Sequence, residues 1–419
     1  MSLDIVIVGA GAAGLATAIF TRRLDRTARV RLVDGARRPG AKILVSGGSR
    51  CNVTNVRVTE ADFHGGSPGA IRQVLRALPV PQTIQFFAEL GVPLHEEPNG
   101  KLFPDSNRSR DVLDALLTEC ARLGVERIDE CRVRAVAREA GRFVLDTSRG
   151  PMHAGQVVLA TGGQSLPKSG SDGTGYALAR SLGHHVVPPV PALVPLLLDE
   201  HGRLPHAALS GVSHDAEIAV WVDGRLSERV QGALLWTHFG ISGPAALDVS
   251  RHWTRATQEG RAVALTLNVF PGLTFETADT HLVALASARP RASLQTVLTQ
   301  SLPAALVSVV LQALGLDAAA SAGALTRESR KRLAHALTEW TLPVTGSRGY
   351  NYAEVTAGGV PLQEVQAKTL ESRVCPDLFL VGEVLDVDGR LGGFNFQWAW
   401  ASAATAARGL VRKANHASR

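Results

Sequence analysis

The chain has 419 residues, 45% hydrophobic and 20% charged, with a net charge of +6. That length exceeds one ordinary core, so two or three domains are expected, and the composition excludes a disordered or fibrous protein. Four scattered cysteines (Cys51, Cys120, Cys131, Cys375) without a CxxC pair argue against a disulfide framework and a metal site, and no later apolar run is long enough to span a membrane, so a cytoplasmic protein is expected.

Asp4-Ile-Val-Ile-Val-Gly-Ala-Gly-Ala-Ala-Gly14 opens the chain. Ile5 to Val8 form a buried strand, Gly9 makes the tight turn, Gly11 lets backbone approach a pyrophosphate, and Gly14 lets the next helix pack on the sheet. Val30 to Val33 supply the second strand, and Asp34 at its tip accepts hydrogen bonds from a ribose diol. Gly9, Gly11, Ala13, Gly14 and Asp34 are therefore expected to hold an adenine dinucleotide at the positive end of a helix. The fingerprint leaves NAD(P) and FAD open.

The segment from Gly40 to Asn55 follows, a glycine-rich loop carrying Lys42, Ser46, Gly47, Ser49, Arg50, Cys51 and Asn52, and it reads as an unlikely core element. Leu113 to Leu123 is apolar at helical spacing. Gln156 to Leu159 is a strand ending in Ala160-Thr161-Gly162-Gly163, and the prolines from Pro188 to Pro191 mark a boundary. Asp215 to Val222 and Ala262 to Val269 read as antiparallel strands, and Thr277 to Thr341 as helices, one with a basic face of Arg327, Arg330 and Lys331. Leu378 to Val381 is another buried strand, Gly382-Glu383 lies at its end, and Phe396 to Val411 forms the last helix. The expected organisation is an α/β, Rossmann-like domain of residues 1–190 and 346–419, interrupted by an antiparallel β domain of 191–275 and a helical domain of 276–345.

Two features favour FAD. The strand ending in Thr161-Gly162-Gly163 resembles the segment of glutathione-reductase-type flavoproteins whose backbone passes close to the dinucleotide, and those folds also return late with a strand ending in Gly and an acid, here Gly382-Glu383. Gly392-Gly393 before the last helix offer N–H groups to the flavin end. No second complete GxGxxG follows, so NAD(P)H would dock transiently as reductant rather than on a domain of its own.

With Gly100-Lys-Leu-Phe-Pro104, Thr237-His-Phe-Gly-Ile-Ser-Gly-Pro244 and Gly382-Glu-Val-Leu-Asp-Val-Asp-Gly389 ahead of Gly392-Gly-Phe-Asn-Phe-Gln-Trp-Ala-Trp400, the Gly40–Asn55 segment resembles the BaiN/RdsA-type (YhiN-like) flavoproteins from end to end. That family is named for a bile-acid-pathway oxidoreductase and a ribosomal-RNA dihydrouridine synthase. The resemblance implies an FAD domain interrupted by a β-barrel-like and a small helical domain, with NAD(P)H-linked reduction of a carbon–carbon double bond. Ser49 stands where the family usually has a third glycine.

Alkene reduction needs a hydride, a proton donor and a group that stabilises the enolate oxygen. Cys51 is the leading proton donor, its alternative being a small buried residue; His238 is the second choice, or structural. Arg50 and Lys42 are read as cofactor or substrate-phosphate ligands rather than surface ion pairs, and Asn52 as orienting a carbonyl or capping a turn. Asn395 and Gln397 suit the pyrimidine edge of the flavin, whereas Trp398 and Trp400 read as core. Three function classes stay open: a ribosomal-RNA-modifying enzyme, supported by the basic balance; a small-molecule ene-reductase; and a non-catalytic flavin-binding redox sensor.

Overall fold

In the computed structural model, which describes residues 4–200 and 205–417, the apolar runs become the centre of a parallel sheet. Strands Leu378–Leu380, Gln156–Leu159, Asp4–Val8, Arg29–Val33 and Glu126–Ile128 lie side by side in that order, with Ile5 opposite Gln156 on one side and Val30 on the other. Ile5, Val6, Ile7, Val157, Val158, Leu378 and Phe379 are fully buried, as strands covered on both faces require. Helix Ala12–Leu24 packs against the last helix, Phe394–Ala417, whose alanines (Ala399, Ala403, Ala406) permit close approach. An antiparallel meander of Val133–Glu139, Arg142–Thr147 and Met152–Ala154 leads into the strand Gln156–Leu159 of this Rossmann-like sheet. These elements belong to one unit, Met1–Pro189 with Glu354–Arg419.

The other unit is Val190–Ala353. Its seven-stranded antiparallel sheet runs Trp340–Leu342, Val263–Asn268, Ser213–Val222, Arg225–Thr237, Gly240–Ser242, Leu196–Leu198 and Val344–Ser347. The two edge strands are consecutive in the chain and separated only by Pro343, so the sheet must roll until its edges meet, which makes it barrel-like. Val344–Ser347 thus belongs to this sheet, and the first unit resumes at Glu354 rather than at 346. Helices Phe275–Ala288, Leu294–Leu298, Ala304–Leu314 and Arg327–Thr338 share one hydrophobic cluster with the sheet, through Leu306, Val310, Leu333 and Leu337 against Ile218, Trp236 and Leu265. On the basic helix, Arg330 is committed to Asp279 by two hydrogen bonds of 2.7 and 3.2 Å.

Candidate functional site

The opening fingerprint is built by backbone approach. Gly9 has φ +105°, and a Cβ there would lie 2.4 Å from Ala160 O; a Cβ on Gly14 would lie 1.8 Å from Gly9 O. Gly9 N–H donates to Val33 O at 2.8 Å, which locks the turn to the second strand. Gly11 differs: a Cβ there would meet nothing within 4 Å. Beside it, helix Ala12–Leu24 begins with no side-chain cap, and its first backbone bond is Leu15 N–H to Gly11 O at 2.9 Å. Open space over uncapped helix N–H groups is the shape a pyrophosphate fills. Asp34 is fixed alongside, accepting from Ala10 N–H at 2.6 Å on one oxygen and from Ala36 N–H at 2.7 Å on the other, so each oxygen keeps an acceptor site for a ribose hydroxyl. The residues present fit an adenine dinucleotide.

A polar cluster lies at the end of the late strand. Lys42 Nζ sits 2.5 Å from Glu383 Oε2 and also bonds Ser165 Oγ, which in turn donates to Glu383 Oε1 at 3.0 Å. Thr356 N–H donates to the same Oε1 at 2.9 Å, and Thr356 Oγ1 accepts the N–H groups of Gln164 (2.7 Å) and Ser165 (3.0 Å). Gly163 is enclosed by this cluster, since a Cβ on it would meet Thr356 Oγ1 and Glu383 Oε1. The strand ends carrying Thr161-Gly162-Gly163 and Gly382-Glu383 are thereby joined, and Gly382 faces Ala13 of the first helix, 2.8 Å from where its Cβ would be. Ser165 and Thr356 were not found in the sequence. A threonine two residues before Gly358-Gly359 in the strand Val355–Gly359 was the one local signal.

The Gly40–Asn55 segment is more buried than its polarity suggests. Ala41 starts a short helix that breaks at Ser46, Gly47 and Gly48, after which Cys51, Val53 and Thr54 have no exposed surface. Ser46 Oγ donates to Ile43 O at 2.8 Å, and Gly47 is packed against Asn52 N and the Phe103 ring. Arg50 pairs with Glu97 at 2.5 Å and lies over the Phe103 ring at 4.2 Å, so its charge serves the ion pair and not the cradle. That ion pair holds the Glu97 carboxyl below its ordinary range. Cys51 corrects the expectation of a proton donor: desolvation pushes its thiol up to about 12, and it is 0% exposed. A sealed, weakly acidic thiol has no route to a substrate.

The amides near the last helix are also spent inside the fold. Asn395 clamps Gly389 from both ends, accepting from its N–H and donating to its carbonyl at 2.8 Å each. Gln397, 1% exposed, accepts from Thr54 and Thr83 hydroxyls at 2.7 and 3.0 Å and donates to Leu78 O at 2.6 Å. With its amide turned so that both atoms find partners, Asn52 accepts the Gly393 N–H at 3.1 Å and donates to Thr54 O at 2.8 Å. Asn55 Nδ2 donates to Gly392 O at 3.2 Å. Asn395 and Gln397 are thus corrected from flavin contacts to scaffold: both amides are spent on partners within the fold, and Gln397 is buried, where leaving its amide unpaired would cost about 1–3 kcal/mol. Trp398 and Trp400 are core, their indole N–H groups donating to Gly382 O and Val53 O at 3.2 and 2.9 Å.

In the second unit, His238 is exposed on the turn between Arg225–Thr237 and Gly240–Ser242, its ring edge-on to Phe239 at 5.1 Å. Among the described residues no group of His, Cys, Asp and Glu is arranged to hold a metal ion, and no helix is long and apolar enough to cross a membrane.

The family described as HI0933-like protein Rossmann domain matches residues 3–409. The 3-dehydro-bile acid delta(4,6)-reductase of Clostridium scindens is 35% identical over 411 residues, covering 97% of this chain and 98% of its own. The ribosomal RNA dihydrouridine synthase of Escherichia coli K12 is 36% identical over 408 residues, with the same coverage of 97% and 98%. Among solved structures, a mutant of the E. coli quinol fumarate reductase FrdA superposes with a TM-score of 0.52 at 17% identity, covering 100% of this chain and 71% of the other, which is a likeness of fold alone.

Proposed function

This chain belongs to the HI0933-like Rossmann family, and from that premise we propose that it is an FAD-dependent oxidoreductase reducing an activated carbon–carbon double bond, with NAD(P)H as reductant and a uridine of ribosomal RNA as substrate. The observation that carries the substrate is the end-to-end match to two proteins named ribosomal RNA dihydrouridine synthase, at 36% and 34% identity. Bound FAD supplies hydride-transfer chemistry that no side chain provides.

The chain's own residues supply the rest. Gly11 and the N–H groups of the first helix would receive the pyrophosphate, Asp34 would take the adenosine ribose, and Glu383 would meet the ribityl or pyrophosphate part. Thr356 and Ser165 hold that carboxylate in place, and Lys42 neutralises it. With Cys51 sealed in the core, His238 is the proton donor we propose, because its imidazole is exposed and can carry a transferable proton. With an RNA substrate, the cytoplasm is the compartment we propose for it.

A second reading, reduction of a small unsaturated ketone, is favoured by the bile-acid reductase match at 35% identity. Purified protein tests both readings. It should be yellow with flavin absorbance, and it should consume NAD(P)H when given unmodified ribosomal RNA but not a steroid enone. Colourless protein would refute the cofactor, and turnover with the enone alone would refute the RNA substrate.

A further inference from the structure

Arg348 lies in the second unit between two aromatic rings. Its guanidinium carbon is 4.5 Å from the centroid of Phe239 and 3.4 Å from that of Tyr352. The backbone holding this stack is tied down on each side: Arg348 N–H donates to Pro195 O at 3.0 Å, Leu198 N–H to Phe239 O at 3.1 Å, and Tyr352 N–H to Gly349 O at 3.0 Å. Several arginines are spent on carboxylates, as Arg23, Arg31, Arg50, Arg132, Arg229 and Arg330 are. Arg348 differs. Among the described residues its side chain has only the two rings as partners, and no carboxylate or carbonyl accepts from its N–H groups.

Rings on the guanidinium hold its plane and shield its faces, which leaves the in-plane donors for an oxyanion. Such a fork suits the two free oxygens of a phosphodiester. Tyr352 is 50% exposed, so its ring also offers surface on which an unpaired base can stack, and His238 is exposed next to Phe239. A phosphate beside an unstacked base is what a single strand presents, and the chain's net charge of +6 favours a polyanion. We infer that Arg348, stacked between Phe239 and Tyr352, binds a phosphodiester of a single-stranded RNA segment whose neighbouring base stacks on Tyr352. This rests on the RNA reading of the substrate and adds to it a residue that reads the strand.

The test is fluorescence anisotropy of a labelled single-stranded ribosomal-RNA fragment with FAD-loaded protein over a range of salt concentrations. Arg348→Gln should weaken binding roughly tenfold and flatten the log–log salt slope by about 0.7, the share of one phosphate on a single strand. Arg348→Lys should keep the slope while losing part of the affinity, and Tyr352→Leu should lose affinity at unchanged slope, with each variant's thermal midpoint measured without RNA. If Arg348→Gln and Tyr352→Leu both bind with wild-type affinity and slope, the stack is only scaffold and the inference fails while the RNA reading stands. If the wild type itself shows no salt-dependent RNA binding, both fail.

Discussion

Replacing Gly11 and Gly14 by alanine, one at a time, separates a cofactor cradle from an ordinary tight turn. At Gly14 the new Cβ would stand 1.8 Å from Gly9 O and 3.3 Å from Ala160 Cβ, so backbone on the opposite side must move. Overpacking of that kind costs about 1–3 kcal/mol or more, and it is charged to the free protein. At Gly11, φ is −82°, ordinary for any residue, and nothing lies within 4 Å of the added carbon. Alanine there lowers unfolded-state entropy, worth roughly 0.4–1 kcal/mol, and is a slightly poorer N-cap, so the free protein should stay within about 1 kcal/mol of wild type. The methyl group would instead occupy the space reserved for the pyrophosphate. A roughly 100-fold loss of FAD affinity, about 2.7 kcal/mol, is expected. Thermal unfolding of flavin-free protein measures the first quantity, and titration with FAD followed by flavin fluorescence the second. Wild-type FAD affinity in Gly11→Ala would refute the cradle; equal destabilisation of both apoproteins would refute the claim that the space over Gly11 is open for a ligand.

Thr356→Val should destabilise the protein by about 1–3 kcal/mol in denaturant unfolding, because the buried Ser165 N–H and the half-buried Gln164 N–H lose their acceptor; Thr356→Ser should restore both stability and flavin retention. Cys51→Ala should retain alkene reduction at the wild-type rate, since the thiol is sealed from substrate. All four cysteines are buried, and native protein at pH 8 should react slowly with a thiol-specific dye until denaturant is added. Burial raises the Cys51 and Cys120 thiols from 9.0 to about 12, so the folded state keeps protons that the unfolded state releases between those values. Their effect on stability is therefore absent below pH 9 and becomes destabilising as pH rises from 9 towards 12, which unfolding of Cys51→Ala against wild type at alkaline pH would reveal.

The sheet was legible because its central strands are continuous apolar runs, and a strand buried on both faces has no other composition available. Gly9, Gly14 and Asp34 were legible for a related reason: each answers a local demand of one strand–turn–helix unit. The Gly40–Asn55 segment was not, because its polar residues find partners far along the chain. Thr54 meets Gln397 across 343 positions and Asn55 meets Gly392 across 337, so a segment that reads as an exposed loop is a hydrogen-bonded interior. The same distance hid Thr356 and Ser165, which lie 191 positions apart, Ser165 also lying 218 positions from its partner Glu383. It also misdirected the reading of Gln397, whose amide suits a flavin edge and suits backbone and threonine hydroxyls equally well, whereas Asn395 closes on Gly389 only six positions away.

The proposed reaction is tested most directly in the cell that makes the protein, by deleting its gene, restoring it, and measuring dihydrouridine in digests of ribosomal RNA by mass spectrometry. The account predicts that one modified position reverts to uridine on deletion and regains two hydrogens with the wild-type gene but not with Gly11→Ala. Unchanged dihydrouridine in the deletion strain would contradict it.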